Sequence, residues 1–195
     1  MDRPAGAGGV TQPSFATEDD ARRYLEALLE PWFHLKREVG LRYPGTANRL
    51  RIDYLAKPKP ATPFPFDLFG IECKRSNRAG EFNRAIKQAI DYCRCEIADQ
   101  RPTLGRLLGQ RVERVYVFPA PGEGHGYEGG WHGGVERLGG LFHVGLITVR
   151  AGMPVFSMSA DRQWDPRAGP SAAKKHIRQL VGNGAARRPE MGAPP

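Results

Sequence analysis

Glu72 and Lys74 stand one residue apart in the segment FGIECKRS, and Asp53 sits in the upstream segment RLRIDYLA. In an extended strand successive side chains alternate, so Ile71 and Cys73 face one way while Glu72 and Lys74 face the other. The same rule sends Leu50, Ile52 and Tyr54 to one face and Arg51, Asp53 and Leu55 to the other. If the two segments pair as a long hairpin with their apolar sides together, Asp53, Glu72 and Lys74 share one polar face. Two carboxylates beside a lysine offer hard oxygen ligands for a divalent cation, and an ammonium for a water or a developing charge. The alternative is a plain cross-strand ion pair between Asp53 and Lys74, worth under about 1 kcal/mol.

The bare acid-x-Lys triplet carries little information. With 21 acids and 7 lysines in 195 residues, it is expected about 0.75 times by chance. Its setting carries more. The triplet ends a predicted strand, follows a strand bearing Asp53, and precedes a predicted helix from about Glu81 to Ala98. Phe82, Ile86, Ile90, Cys93 and Ile97 form an apolar stripe on that helix at intervals of four and three. Gln88 and Tyr92, four apart, share a face of it beside Ala85.

In this combination the chain resembles the PD-(D/E)xK nuclease superfamily. Asp53 matches the motif aspartate and Glu72-Cys73-Lys74 the E-x-K element. Gln88-Ala89-Ile90-Asp91-Tyr92 matches the Q-x-x-x-Y helix motif of its exonuclease-like and resolvase-like clade. The resemblance spans roughly Glu18 to Ala98. Ile52 stands where the family name has proline, and three cysteines rule out the iron–sulfur members, which need four. The resemblance implies a restriction-endonuclease-like sandwich, a central mixed β-sheet flanked by helices. It further implies Mg²⁺, with Mn²⁺ as a substitute, held by Asp53, Glu72 and the backbone carbonyl of Cys73. Lys74 would position the attacking water or steady the charge, and Gln88 and Tyr92 would orient the site or the DNA backbone. Many members add an acid from the first helix; Glu18 is favoured here over Glu26 and Glu30. The implied function is Mg²⁺-dependent hydrolysis of DNA phosphodiester bonds in prokaryotic or phage DNA processing. The alternative is a catalytically inactive nuclease-like domain that binds DNA or a partner protein.

The elements that must position these residues are legible in outline. Thr17 reads as an N-cap, followed by Glu18, Asp19 and Asp20 in a first turn and by Ala21, Tyr24, Leu25, Leu28, Leu29 and Trp32 at helical spacing, stopping near Pro31. FHLKREVGLR, RLRIDYLA and FGIECKRS follow as strands. RVERVYVFPA and LFHVGLITVR then read as buried strands, and MPVFSMSA as an edge strand. Helix, three strands, helix and more strands predict an α/β sandwich with a mixed sheet. The chain divides into a Gly/Pro-rich flexible N-terminus (1–14), one nuclease-like domain (15–165) and a basic flexible tail (166–195).

The formal charge of +8 is concentrated in that tail, where Arg167, Lys174, Lys175, Arg178, Arg187 and Arg188 face only Glu190. This suggests an electrostatic arm for DNA, or a tail kept soluble by charge. The nucleic-acid contacts expected from the sequence are Lys174 and Lys175 in the tail, Arg75 and Arg78 after the triplet, and Lys57 and Lys59 in the proline-rich arm KPKPATPFPFD. Tyr127 and Trp131, in the glycine-rich loop PGEGHGYEGGWHGG, join them as stacking groups for an unpaired base. A solvated arm and a plain surface loop are the alternatives. Glu123, His125, Glu128 and His132 in that loop lack a spacing that would make a zinc site. No apolar run is long enough to span a membrane, and free thiols suit a reducing compartment. The expectation is a cytoplasmic protein whose partners are DNA and either a second copy of the chain or a larger DNA-processing complex.

Overall fold

A computed structural model describes residues 13–76, 78–99, 101, 106–120, 139–158 and 161–168. Their elements run α1 (Glu18–Leu29), β1 (Phe33–Arg42), β2 (Arg49–Pro58), β3 (Phe69–Cys73), α2 (Ala79–Tyr92), β4 (Glu96–Ile97), β5 (Val115–Phe118), β6 (Val144–Arg150), β7 (Met153–Met158) and β8 (Asp161–Trp164). The architecture is α/β, with one mixed sheet in the order β4-β1-β2-β3-β5-β6-β7-β8. The β3–β5 and β5–β6 pairs are parallel and the others antiparallel. Each helix covers its own face. Ala21, Leu25 and Leu29 of α1 pack with Phe33, Tyr54, Ile71, Tyr116 and Phe156, whereas Phe82, Ala85, Ile86 and Ala89 of α2 pack with Ile52, Leu55, Val115 and Val117. Each large apolar side chain so buried contributes about 1.5–3 kcal/mol.

α1 starts as its sequence dictates. The Thr17 hydroxyl accepts from the Asp20 N–H at 3.1 Å, and Asp20 returns the contact to the Thr17 backbone N–H, which satisfies two of the orphan donors of the first turn. α2 departs from the periodic reading. It stops at Tyr92 with Cys93 as C-cap, and Glu96–Ile97 pair with Leu41 and Arg42 of β1 as a strand. The helical stripe therefore ends early, because Ile97 is buried by sheet pairing. Nor is Met153–Met158 an edge: β8 pairs along its outer side.

The long β1–β2 hairpin corrects the alternation rule at one place. Phe33 and Leu35 pack on the α1 side but Val39 and Leu41 on the α2 side, although all four have the same parity. Likewise Ile52 joins the α2-side core and Tyr54 the α1-side core. The change occurs at Glu38, whose φ of 51° lies in the left-handed region, and at Asp53, which falls opposite it between the Arg37↔Tyr54 and Val39↔Ile52 pairs. A non-glycine residue held there interrupts the pleat and turns the following side chains to the other face.

A fork between Arg101 and Asp99 clamps this crossover. Arg101 Nη2 donates to the carbonyls of Arg37 and Glu38 at 3.1 and 3.0 Å, while Asp99 accepts the Gly40 N–H at 3.3 Å. Asp99→Asn is expected to cost about 1–3 kcal/mol of stability. The Arg101 hydrogen bonds hold the Asp99 carboxyl down to about 2, below its unfolded value of about 3.9. Its stabilising contribution is therefore complete above about pH 4 and is lost as pH falls toward 2. Urea midpoints at about pH 5 and about pH 2.5 test this: the gap between wild type and Asp99→Asn should shrink at the lower pH, and a constant gap refutes it.

Gly145 is fixed by packing in β6. A Cβ there would lie 2.5 Å from the Ser157 carbonyl oxygen and 2.5 Å from the Tyr116 ring. Because the Ser157 carbonyl belongs to the neighbouring strand, the overlap has no easy relief. Gly145→Ala is expected to destabilise by about 1–3 kcal/mol, read as a lower thermal midpoint; an unchanged midpoint contradicts the packing account.

Candidate active site

β3 is buried along its whole length. Ile71 and Cys73 point into the α1-side core, and Glu72, only 2% exposed, points the other way, toward Tyr92 of α2. Lys74 follows the strand end, where its backbone N–H donates to the Phe118 carbonyl at 2.8 Å and ties it to β5. Its ammonium donates to the Glu72 carboxylate. The site thus forms beyond the carboxyl end of a central strand, where open α/β sheets commonly leave a crevice.

Asp53 completes it by filling a gap in the ladder. The β2–β3 pairing ends at Tyr54↔Ile71; one more step would set Asp53 opposite Glu72. Instead the strands part, and Asp53 Oδ2 accepts the Cys73 N–H at 2.8 Å. A side-chain oxygen takes the place of a ladder carbonyl, so the carboxylate is held between the strands, beside Glu72. The Tyr92 hydroxyl donates to the Arg51 carbonyl at 3.0 Å, bracing β2 two residues before Asp53.

Charges here are closely coupled. Burial pushes the Glu72 carboxyl up to about 7; the Asp53 charge adds to this, and Lys74 pulls it back. Burial works against the Lys74 ammonium, but the charge and hydrogen bond of Glu72 outweigh it and leave its pKa raised. Burial, together with the Glu72 and Asp53 charges, pushes the Tyr92 phenol far up, so it stays a neutral donor. Burial does the same to the Cys73 thiol, which excludes it as a nucleophile.

Arg22 was not among the residues expected from the sequence. From the second turn of α1 its Nη2 donates to Asp53 Oδ1 at 2.6 Å and to Glu18 Oε1 at 2.7 Å. The available signal was an arginine between Ala21 and Leu25 on the inward side of α1, four residues after Glu18. Glu18 therefore meets the site through Arg22. Glu26 pairs with Arg37 instead.

The other expected contacts are scattered. Gln88 is exposed one turn before Tyr92, and among the described residues no hydrogen bond joins it to the cluster. Arg75 pairs with Glu81 at 3.0 Å, and Arg78 is the exposed N-cap of α2. Lys57 is exposed on β2. The proline-rich segment does not project as an arm. Lys59 Nζ donates to the Glu30 carbonyl at the end of α1, 2.5 Å away, and Thr62 Oγ1 donates to the Trp32 carbonyl at 2.8 Å. Phe64 packs against Phe33, Phe69, Phe156 and Trp164. Burying that ring outweighs the extended bias of the prolines. Tyr127, Trp131, Lys174 and Lys175 lie outside the described residues.

The donor chemistry fits a hard cation. Asp53, Glu72 and the Cys73 carbonyl supply oxygen only, and Glu72 is pushed up first by burial and then by the Asp53 charge beside it. Two carboxylates and one carbonyl suit an ion that keeps several waters, as Mg²⁺ does. Among the described residues no group of three or more His, Cys, Asp or Glu converges, and no helix is long and apolar enough to cross a membrane. No protein-family model, curated protein or solved structure matches the chain.

Proposed function

We propose that this chain is a Mg²⁺-dependent nuclease that hydrolyses DNA phosphodiester bonds, on a restriction-endonuclease-like variant of the α/β sandwich. The observation that carries the reading is the meeting of Asp53, Glu72 and Lys74 where β2 and β3 part. Asp53, Glu72 and the Cys73 carbonyl would hold the cation, which when bound supplies Lewis-acid stabilisation and a more acidic water. Lys74, anchored at the strand end, donates a hydrogen bond to that water or to the phosphoryl oxygens. Tyr92 fixes the β2 backbone beside Asp53, and Arg75, Arg78 and Lys57 offer exposed cations to the DNA backbone. Mn²⁺ would substitute for Mg²⁺, and free cysteines suit work in the cytoplasm, by a homodimer or within a larger DNA-processing complex.

One observation favours a second reading, a nuclease-like domain that binds DNA or a protein without cutting. Both Asp53 oxygens already have partners, Arg22 and the Cys73 N–H. Labelled single-stranded, duplex and branched DNA, each incubated with purified protein in Mg²⁺ or in EDTA, separates the two. Cation-dependent cleavage supports the nuclease, and binding with no cleavage of any substrate supports the alternative.

A further inference from the structure

Resting on the proposed cation site, we infer that Arg22 is a resident counter-cation of Asp53, one that an incoming divalent ion must displace, so that this arginine sets the cation concentration at which the site loads. Three arginines of the fold grip a carboxylate with the full fork, while exposed ones such as Arg23 and Arg75 use single nitrogens. Arg37 donates through Nε and Nη2 to both oxygens of Glu26, Arg101 does so to Asp99, and Arg167 to Asp165. The fork is the geometry in which a guanidinium holds a carboxylate most firmly. Arg22 departs from it. One nitrogen, Nη2, serves both Asp53 and Glu18, and its Nε is buried with no hydrogen-bond partner.

Such a contact neutralises charge without locking the group in place. The guanidinium lies on Asp53 Oδ1, the oxygen the Cys73 N–H leaves free, so it occupies the face of the carboxylate on which a cation would bind. Glu18, one helical turn away on the same helix, gives Arg22 a second carboxylate to rest on when Asp53 is taken. Two positive groups drawn to one oxygen make cation binding and the Arg22–Asp53 contact antagonistic. In the metal-free protein the arginine helps hold the Asp53 side chain in place beside Glu72.

The test is calorimetric titration of Mn²⁺ into wild-type protein and into the Arg22→Gln, Arg22→Lys and Asp53→Asn variants, with thermal midpoints of the metal-free proteins alongside. Arg22→Gln should bind Mn²⁺ more tightly by on the order of tenfold and melt lower without metal. Those opposite signs are what a merely structural arginine would not give, since its loss would weaken both. Arg22→Lys, which keeps the charge and folds if glutamine does not, should stay within a few-fold of wild type. Mn²⁺ binding that Asp53→Asn abolishes but that Arg22→Gln leaves equal or weaker overturns this inference and spares the cation site. No binding to wild type or to Arg22→Gln overturns the cation site itself.

Discussion

Lys74→Ala is expected to lower Mg²⁺-dependent DNA cleavage by about 10²-fold or more while leaving the protein folded and DNA binding within a few-fold of wild type. The backbone at this position is held by the Phe118 carbonyl, independently of the side chain, so truncation leaves the strand end in place. What disappears is the ammonium that lies against Glu72, largely shielded at 18% side-chain exposure. Because Lys74 also holds the Glu72 pKa down, its loss makes Glu72 keep a proton at neutral pH and compete with the cation. Raising the assay pH weakens that competition, so a cleavage deficit that persists toward alkaline pH reports the loss of the group that handles the water. Equal cleavage by wild type and Lys74→Ala at matched purity would trace the activity to a contaminant and leave the binding-only reading standing.

Asp53→Asn and Glu72→Gln are each expected to abolish detectable cation binding and cleavage, since each removes one of only two carboxylates the site offers. Their effects on folding should differ. In Asp53→Asn the amide can keep a hydrogen bond to the Cys73 N–H or to Arg22, but its single carbonyl oxygen cannot serve both as Asp53 does, and the loss should cost about 1–3 kcal/mol. Glu72, with its pKa raised to about 7, already carries its charge at a disadvantage, so an uncharged isostere should cost less. DNA affinity should hold or rise in both, as a carboxylate facing phosphate is removed. Mn²⁺ titration, cleavage assays and urea midpoints read the three effects, and a Glu72→Gln protein that binds the ion and cleaves like wild type would remove Glu72 from the site.

The two kinds of site residue were unequally legible. Within β3, strict alternation separates Ile71 and Cys73 from Glu72 and Lys74 over four consecutive positions, and nothing in the structure interrupts the pleat there. Over β2 the same rule failed, since the pleat breaks at Asp53 itself. Arg22 was harder still: its bond to Asp53 spans 31 positions in the chain, and no local period points across such a distance. Lys59 was misread because proline bias is local, whereas the pull of Phe64 into the aromatic cluster comes from residues far along the chain.

The sequence by itself determined where α1 begins, which residues of β3 share a face, the order α1, β1, β2, β3, α2, β5, β6 and β7 without β4 and β8, and the α/β class. Each follows from interactions within a few residues: a cap closing on its own first turn, a pleat of period two, a stripe of period near four. Tertiary structure alone decided that α2 stops at Tyr92, that Glu38 and Asp53 mark a change of face, that β7 is covered by β8, and that Arg22 sits on Asp53. These outcomes turn on which partner a segment meets. Ile97 gains more from burial beside Leu41 than from another helical turn, and the Asp53 carboxylate stands between β2 and β3 because they diverge there and leave the Cys73 N–H in need of an acceptor.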